Sequence, residues 1–204
     1  MMKPNIISNC CLGAFIMRDL LHLEYNNPFV WGWISAEGML SIIQNYFNIN
    51  WNNVSLSTYE NKELQDGVFF TVHVDNTFAL TYSHYQFNAN YDFFTDNKTN
   101  MVFYNHIWEY VIAKYKSRTL RMVQANIPPK YIILDDFTEK TFSNEQIYRL
   151  NTNSKYPVLL FTPKDIDLDN PLIKVINICQ DDMLPELIAL NYKEVIMQFL
   201  YLDS

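Results

Sequence analysis

Glycine is scarce in this chain, at 4 of 204 residues. Loops that cradle phosphates need clustered glycines, because the backbone itself must approach the ligand. No GxGxxG, no GxxxxGK[ST] and no GxSxG occurs, which argues against classical dinucleotide binding, the P-loop and the nucleophile elbow of α/β hydrolases. Cysteine is equally sparse. Cys10, Cys11 and Cys179 make an odd total of 3, two of them adjacent and none in a CxxC pair. That is neither a disulfide framework nor a zinc pattern, and a reducing cytoplasm is the expected location. No window of about 18 apolar residues exists, so no transmembrane helix is expected. The start, Met1-Met2-Lys3-Pro4-Asn5, lacks the long apolar region of a secretory signal. Excess positive charge is also missing. The formal net charge is −7 and the pI about 5.0, which gives no basic field for displacing counterions from a nucleic acid.

What remains suits a chain with a substantial core. Hydrophobic residues make up 49%, charged residues 18% and aromatics 16%, and the length fits one domain. The aromatics favour bulky packing, with some flat rings left over for stacking on a sugar or base face. Asparagine is abundant, about one residue in nine, so a single asparagine carries little information.

Asn5 to Ile7 reads as a first strand. Leu12, Phe15, Ile16 and Leu20 recur at helical spacing, which predicts a helix over Cys11 to Leu21. Asn26-Asn27-Pro28 breaks it, Phe29 to Ile34 reads as extended, and Ser35 caps a helix running to about Phe47. The strongest β signal is a hairpin, Val68 to Val74 and Thr77 to Tyr85, joined by Asp75-Asn76, two residues that tolerate positive φ. Met101 to Gln124 reads as the longest helix, with Met101, Trp108, Val111, Ile112 and Tyr115 as its apolar stripe, and Pro128-Pro129 ends it. Tyr131 to Leu134, Val158 to Phe161 and Ile173 to Ile178 read as strands. Ser143-Asn144-Glu145-Gln146 matches a capping box for a helix to about Leu150, and Asp181 or Asp182 caps a last helical region toward Leu200. The expected fold is therefore a layered single α/β domain over residues 1–204, with a mixed β-sheet flanked by helices and one β-hairpin. A seam between two lobes, if the chain has one, falls near 96–100.

Chemistry-bearing side chains concentrate in a few places. Cys11 stands at a strand-to-helix junction, where unpaired backbone N–H groups favour a thiolate, and His22 or His84 could supply a base. The bland reading of Cys10 and Cys11 is that of small buried hydrophobes. Ser8 and Asn9 either cap the helix or present a hydroxyl and an amide to a ligand. Glu24-Tyr25-Asn26 sets a carboxylate beside a phenol and an amide, which suits a sugar hydroxyl or general-base work, although turn formation explains the amide equally well. Lys114, Arg118 and Arg121 fall at i, i+4, i+7, on one helix face. They read either as a site for a phosphate-bearing substrate or as the solvated face opposite the apolar stripe. Asp135-Asp136 ends a buried strand, though adjacent acids in a strand point to opposite faces. Asp165, Asp167 and Asp169 resemble the start of a calcium loop, but Asn170 replaces its glycine and Ile176 its closing glutamate. No metal and no cofactor is expected.

The opening segment resembles the bacterial DUF1919 family, whose members are often labelled exopolysaccharide biosynthesis proteins. The family pattern Ser-Asn-Asn-Cys-Trp-Gly-Gly is read here as Ser8-Asn9-Cys10-Cys11-Leu12-Gly13-Ala14. Tyr-Asn-Ser-Pro-Phe is read as Tyr25-Asn26-Asn27-Pro28-Phe29. His84-Tyr85 and the helix bearing Tyr115, Arg118 and Arg121 follow in the family's order, with Cys10, Leu12 and Tyr115 as departures. The resemblance implies an association with capsule or exopolysaccharide synthesis and supplies no mechanism. On this basis the expected function is a cytoplasmic transferase, of glycosyl or acyl type, acting on a sugar or sugar-phosphate precursor. Cys11, Glu24 and His84 would be catalytic, and Asn9, Tyr25, Asn26, Lys114, Arg118 and Arg121 would bind substrate. The alternative is a non-catalytic accessory protein that binds a glycan or a protein partner.

Overall fold

The computed structural model describes residues 3–23, 27–29, 32–60, 68–82, 97–135, 141–179 and 184–201, leaving aside the side chains of 58–60, 68–70, 82, 97–108 and 110. The α/β class stands. Parallel and antiparallel pairing, expected within one mixed sheet, are divided between two four-stranded sheets.

The parallel sheet is built from β1 (Asn5–Ser8), β6 (Pro129–Leu134), β7 (Val158–Thr162) and β8 (Ile173–Asn177), in that order across the sheet. β7 and nearly all of β6 are buried, as a parallel sheet covered on both faces requires. Successive side chains alternate between two cores. Ile6, Ile132, Leu134, Leu159 and Phe161 join one apolar cluster with the helices α1 (Leu12–Phe15), α5 (Pro185–Asn191) and α6 (Lys193–Tyr201). Ile7, Tyr131, Ile133, Val158 and Leu160 join another. That second cluster also takes Met39, Leu40, Ile42 and Ile43 from α2 (Ala36–Asn45), Ile147 and Leu150 from α4 (Asn144–Asn153), and Val111, Tyr115 and Met122 from α3 (Asn97–Ala125). It reaches Val72, Val74, Phe78 and Leu80 of the antiparallel sheet, so one core touches both sheets. Burial of each large aliphatic side chain there contributes roughly 1.5–3 kcal/mol.

The antiparallel sheet has the order β2 (Gly32–Trp33), β5 (Phe78–Tyr82), β4 (Val68–Val74), β3 (Val54–Glu60). The hairpin of β4 and β5 turns as expected, with Asp75 at φ 51° and Asn76 at φ 53°. β3 was not expected as a strand, and β2 is a short part of the stretch from Phe29 to Ile34 that was read as extended. Val54-Ser55-Leu56-Ser57 carries the period-2 alternation of a half-buried strand, whereas β2, at 2 residues, is too short to leave a pattern.

Local chemistry sets the helix ends. Ser35 Oγ accepts from Gly38 N–H at 3.2 Å and starts α2. Ser143 and Gln146 form the full reciprocal capping box of α4. Asn126, at φ 49°, follows the last residue of α3 in the left-handed conformation of a helix stop. The first helix is shorter and less regular than expected. α1 proper covers Leu12–Phe15 and passes into a π-helical stretch, Ile16–Leu20, closed by Leu21 N–H donating to Ile16 O at 3.1 Å. The final helical region is α5 (Pro185–Asn191) and α6 (Lys193–Tyr201). Leu184 stands at the α5 cap and Pro185 opens its first turn, while Asp181 and Asp182 lie outside the described residues.

Candidate functional site at the carboxyl end of β1

β1 is an edge strand, and the chain beyond it is stitched back onto it. Asn9 follows the strand directly and is fully buried. Its Nδ2 donates to Leu134 O at 2.9 Å, and its Oδ1 accepts from Leu134 N–H at 3.0 Å. The amide thereby extends the β1–β6 ladder by one rung after β1 has ended. Asn9 O also accepts from Ile34 N–H at 3.0 Å. Asn27, likewise buried, donates from Nδ2 to Ile6 O at 2.5 Å and accepts from Phe29 N–H at 3.1 Å. Gly32 of β2 then pairs with Tyr82, the last residue of β5. The helix start, residues 27–29 and 32–34, and the end of β5 are thus tied to β1 or to one another.

Cys11 occupies the cap position of α1, half-buried, with helical backbone angles and no capping hydrogen bond from its side chain. Its carbonyl accepts from Ala14 and Phe15 N–H at 2.9 and 3.1 Å. The thiol therefore belongs to the residue at which the positive end of the helix begins. Cys10 is buried in the cluster beneath α1, as a small hydrophobe would be. Ser8 is buried, and its Oγ has no hydrogen-bond partner among the described residues. It packs so closely under Gly13 that a Cβ at that position would lie 2.9 Å from Ser8 Cβ. His22 is exposed, at φ 50°, just beyond the π-helical stretch. Glu24, Tyr25, Asn26 and His84 lie outside the described residues.

Arg118 of the basic stripe departs from the reading of a solvated face. Arg118 lies seven residues after Val111, about two helical turns, and so on nearly the same face. Val111, Tyr115, Arg118 and Met122 are all buried, and Arg118 is 6% exposed. It belongs to the flank of the core stripe, not to the solvated face opposite it. Lys114 is half-buried, and Arg121 is exposed with Nη1 donating to Ser117 Oγ at 3.2 Å. Beside Arg118, Tyr115 donates to Trp51 O at 3.4 Å, and burial pushes its phenol well above the ordinary range. α3 leads into the amino end of β6, whereas Cys11 follows the carboxyl end of β1, which runs parallel to β6.

A second polar cluster at the carboxyl edge escaped the sequence reading except for its aspartate. Asp135, fully buried, accepts from Phe142 N–H at 2.7 Å and from Thr162 Oγ1 at 2.8 Å, and pairs with Lys164 Nζ at 2.9 Å. Lys164 Nζ also donates to Phe142 O. The cluster fastens the chain around Phe142 across the ends of β6 and β7, so Asp135 is engaged entirely by internal partners. Asp136 lies outside the described residues. A strand-end aspartate is visible in sequence, but the lysine that meets it stands just beyond the next parallel strand, and only the sheet order brings the two together. Among the described residues, no group of His, Cys, Asp and Glu side chains could hold a metal ion, and no helix is long and apolar enough to cross a membrane. No protein-family model matches this chain, and no curated protein matches it at significant similarity.

Proposed function

We propose that the chain is a transferase acting on a sugar or sugar-phosphate precursor of a surface polysaccharide, with its reaction centre at the carboxyl end of β1. One observation carries this reading. The hydrogen bonds of Asn9 and Asn27 and the Gly32–Tyr82 pairing hold Cys11, residues 27–29 and Tyr82 about β1, and Glu24, Tyr25, Asn26 and His84 are near neighbours of these in the sequence alone. Reactive side chains in α/β proteins characteristically stand on such strand-end loops. The resemblance of Ser8–Ala14 and Tyr25–Phe29 to the DUF1919 pattern supplies the substrate class.

Within this reading, Glu24 or His84 deprotonates the acceptor hydroxyl, and Tyr25 and Asn26 orient the sugar. Cys11 carries the group if the transfer is of acyl type. Asn9, with its amide given to Leu134, positions the loop. Lys114 and Arg121, on the helix that leads into the amino end of β6, are not assigned to this centre. Purified protein screened by thermal shift against nucleotide sugars, sugar phosphates and acyl-CoAs tests the reading. A ligand that raises the melting temperature of the native chain, but not of Glu24→Gln/His84→Ala, supports it. Equal shifts in both proteins contradict the assigned centre.

The accessory-protein reading draws on a different observation: Leu184, Leu187 and Leu190 expose 55%, 36% and 67% of their surface along α5. Failure of every small ligand, together with a binding partner lost in Leu187→Glu/Leu190→Glu, would favour it.

A further inference from the structure

The outer face of the antiparallel sheet carries a hydroxyl–imidazole pair that the reading above does not use. Val54, Leu56, Val72 and Val74 point into the core, so by the alternation of a strand Ser55, Ser57, Thr71 and His73 point away from it. Ser57 lies opposite Thr71, and His73 opposite Ser55. Ser57 and His73 are therefore diagonal neighbours on adjacent strands, within reach across the pleat. Ser57 Oγ and His73 Nε2 are 2.7 Å apart, with Ser57 exposed and His73 half-buried. A serine hydroxyl within hydrogen-bond reach of an imidazole nitrogen is the minimal geometry of an activated nucleophile.

The register adds a second element. Asp75 N–H donates to Asn53 O at 2.8 Å, which makes Asn53 and Asp75 a hydrogen-bonded pair. Ser55 and Ser57 follow in the same phase, so the backbone amides of Leu56 and Thr58, on either side of Ser57, point away from β4. β3 is the last strand of its sheet, and no described strand pairs with that side. The nucleophile is thus flanked by edge amides, the kind of donor that stabilises an oxyanion. Behind it, Thr71 Oγ1 and Thr81 Oγ1 engage each other at 2.9 Å, which leaves Ser57 the hydroxyl of its row that faces the imidazole.

We propose that Ser57 and His73 form an acyl-transfer dyad that takes esters approaching the side of β3 that faces away from β4. Ser57 Oγ attacks the acyl carbon while its proton passes to His73 Nε2. The bond to the leaving alcohol breaks, and that alcohol takes the proton from Nε2. Water then attacks the acyl-serine, giving its proton to the same nitrogen, and the acid departs as Ser57 recovers its hydrogen. This centre shares no residue with the one proposed at β1, so either can fail without the other.

The test is covalent labelling of the full chain with a fluorophosphonate, in which Oγ forms a bond to phosphorus and fluoride leaves, read by peptide mass spectrometry. The folded chain should acquire the label on Ser57. Ser57→Ala should remove it, and His73→Gln, which keeps a hydrogen-bonding side chain but no base, should slow labelling about a hundredfold. Ser55→Ala, a nearby exposed serine outside the dyad, should label like the native chain, and circular dichroism melts confirm that each variant is folded. Labelling of Ser57 at equal rates in His73→Gln and the native chain, or no label on Ser57 in the folded native chain, would overturn the proposal.

Discussion

At the scale of single residues, the account turns on side chains whose hydrogen bonds replace backbone pairing. Asn9 is the clearest case, because its amide satisfies both the N–H and the C=O of Leu134 where no strand remains to do so. Asn9→Ala leaves two buried backbone groups unpaired, each costing about 1–3 kcal/mol, so a loss near 3 kcal/mol is expected in urea titration. A loss below about 0.5 kcal/mol would show that water replaces the amide. Gly13 matters for a steric reason instead. A methyl group there meets Ser8 Cβ, an atom of the strand that cannot swing aside, so Gly13→Ala should destabilise by about 1–3 kcal/mol, with calorimetry as the check. Asparagine is common enough in this sequence that neither the role of Asn9 nor that of Asn27 could be read from composition. Both follow from strand pairings whose partners stand far away in the chain. The dyad of Ser57 and His73 was hidden for the same reason, since a diagonal contact depends on register, which sequence does not print.

At the scale of elements, the parts legible in advance were those fixed by local chemistry. Ser143-Asn144-Glu145-Gln146 announced the start of α4, and Asp75-Asn76 announced the hairpin turn, because caps and left-handed turns depend on a handful of adjacent residues. Ser143→Ala should cost about 1 kcal/mol by thermal denaturation, a typical loss for a cap. Arg118 shows the opposite limit. Its charge and its spacing from Lys114 and Arg121 suggested a solvated face, yet its position two turns from Val111 places it on the flank of the buried stripe. α2 and α4 are further tied by Glu37, which accepts from Arg149 Nη2 at 2.8 Å and Nη1 at 2.9 Å and from Gln146 Nε2 at 3.3 Å. The Arg149 guanidinium holds the Glu37 carboxyl below its usual value of 4.5. A carboxylate depressed in the folded state stabilises above its unfolded value and loses that stability as pH falls through the folded one. The tie should therefore weaken below about pH 4.5, by less than about 1 kcal/mol since both side chains meet solvent. Stability compared across pH 3 to 6 should fall more steeply toward acid in the native chain than in Glu37→Gln. Parallel profiles would remove Glu37 from the acid response.

At the scale of the whole molecule, alternation of helices and strands was enough to give the α/β class. Division into two sheets was not legible, because it depends on which strands meet after a 29-residue helix. The parallel sheet supplies the strand ends on which the proposed reaction centre is built, and the antiparallel sheet contributes the end of β5 beside it. The central claim is that a sugar or sugar-phosphate ligand binds at that junction. Its most direct test is the melting temperature of the native chain and of Glu24→Gln/His84→Ala across a panel of nucleotide sugars, sugar phosphates and acyl-CoAs. The account predicts one class of compound that raises the native melting temperature, with the rise growing with concentration and absent in the variant. A native chain indifferent to the whole panel, or a variant that responds as the native chain does, would contradict it.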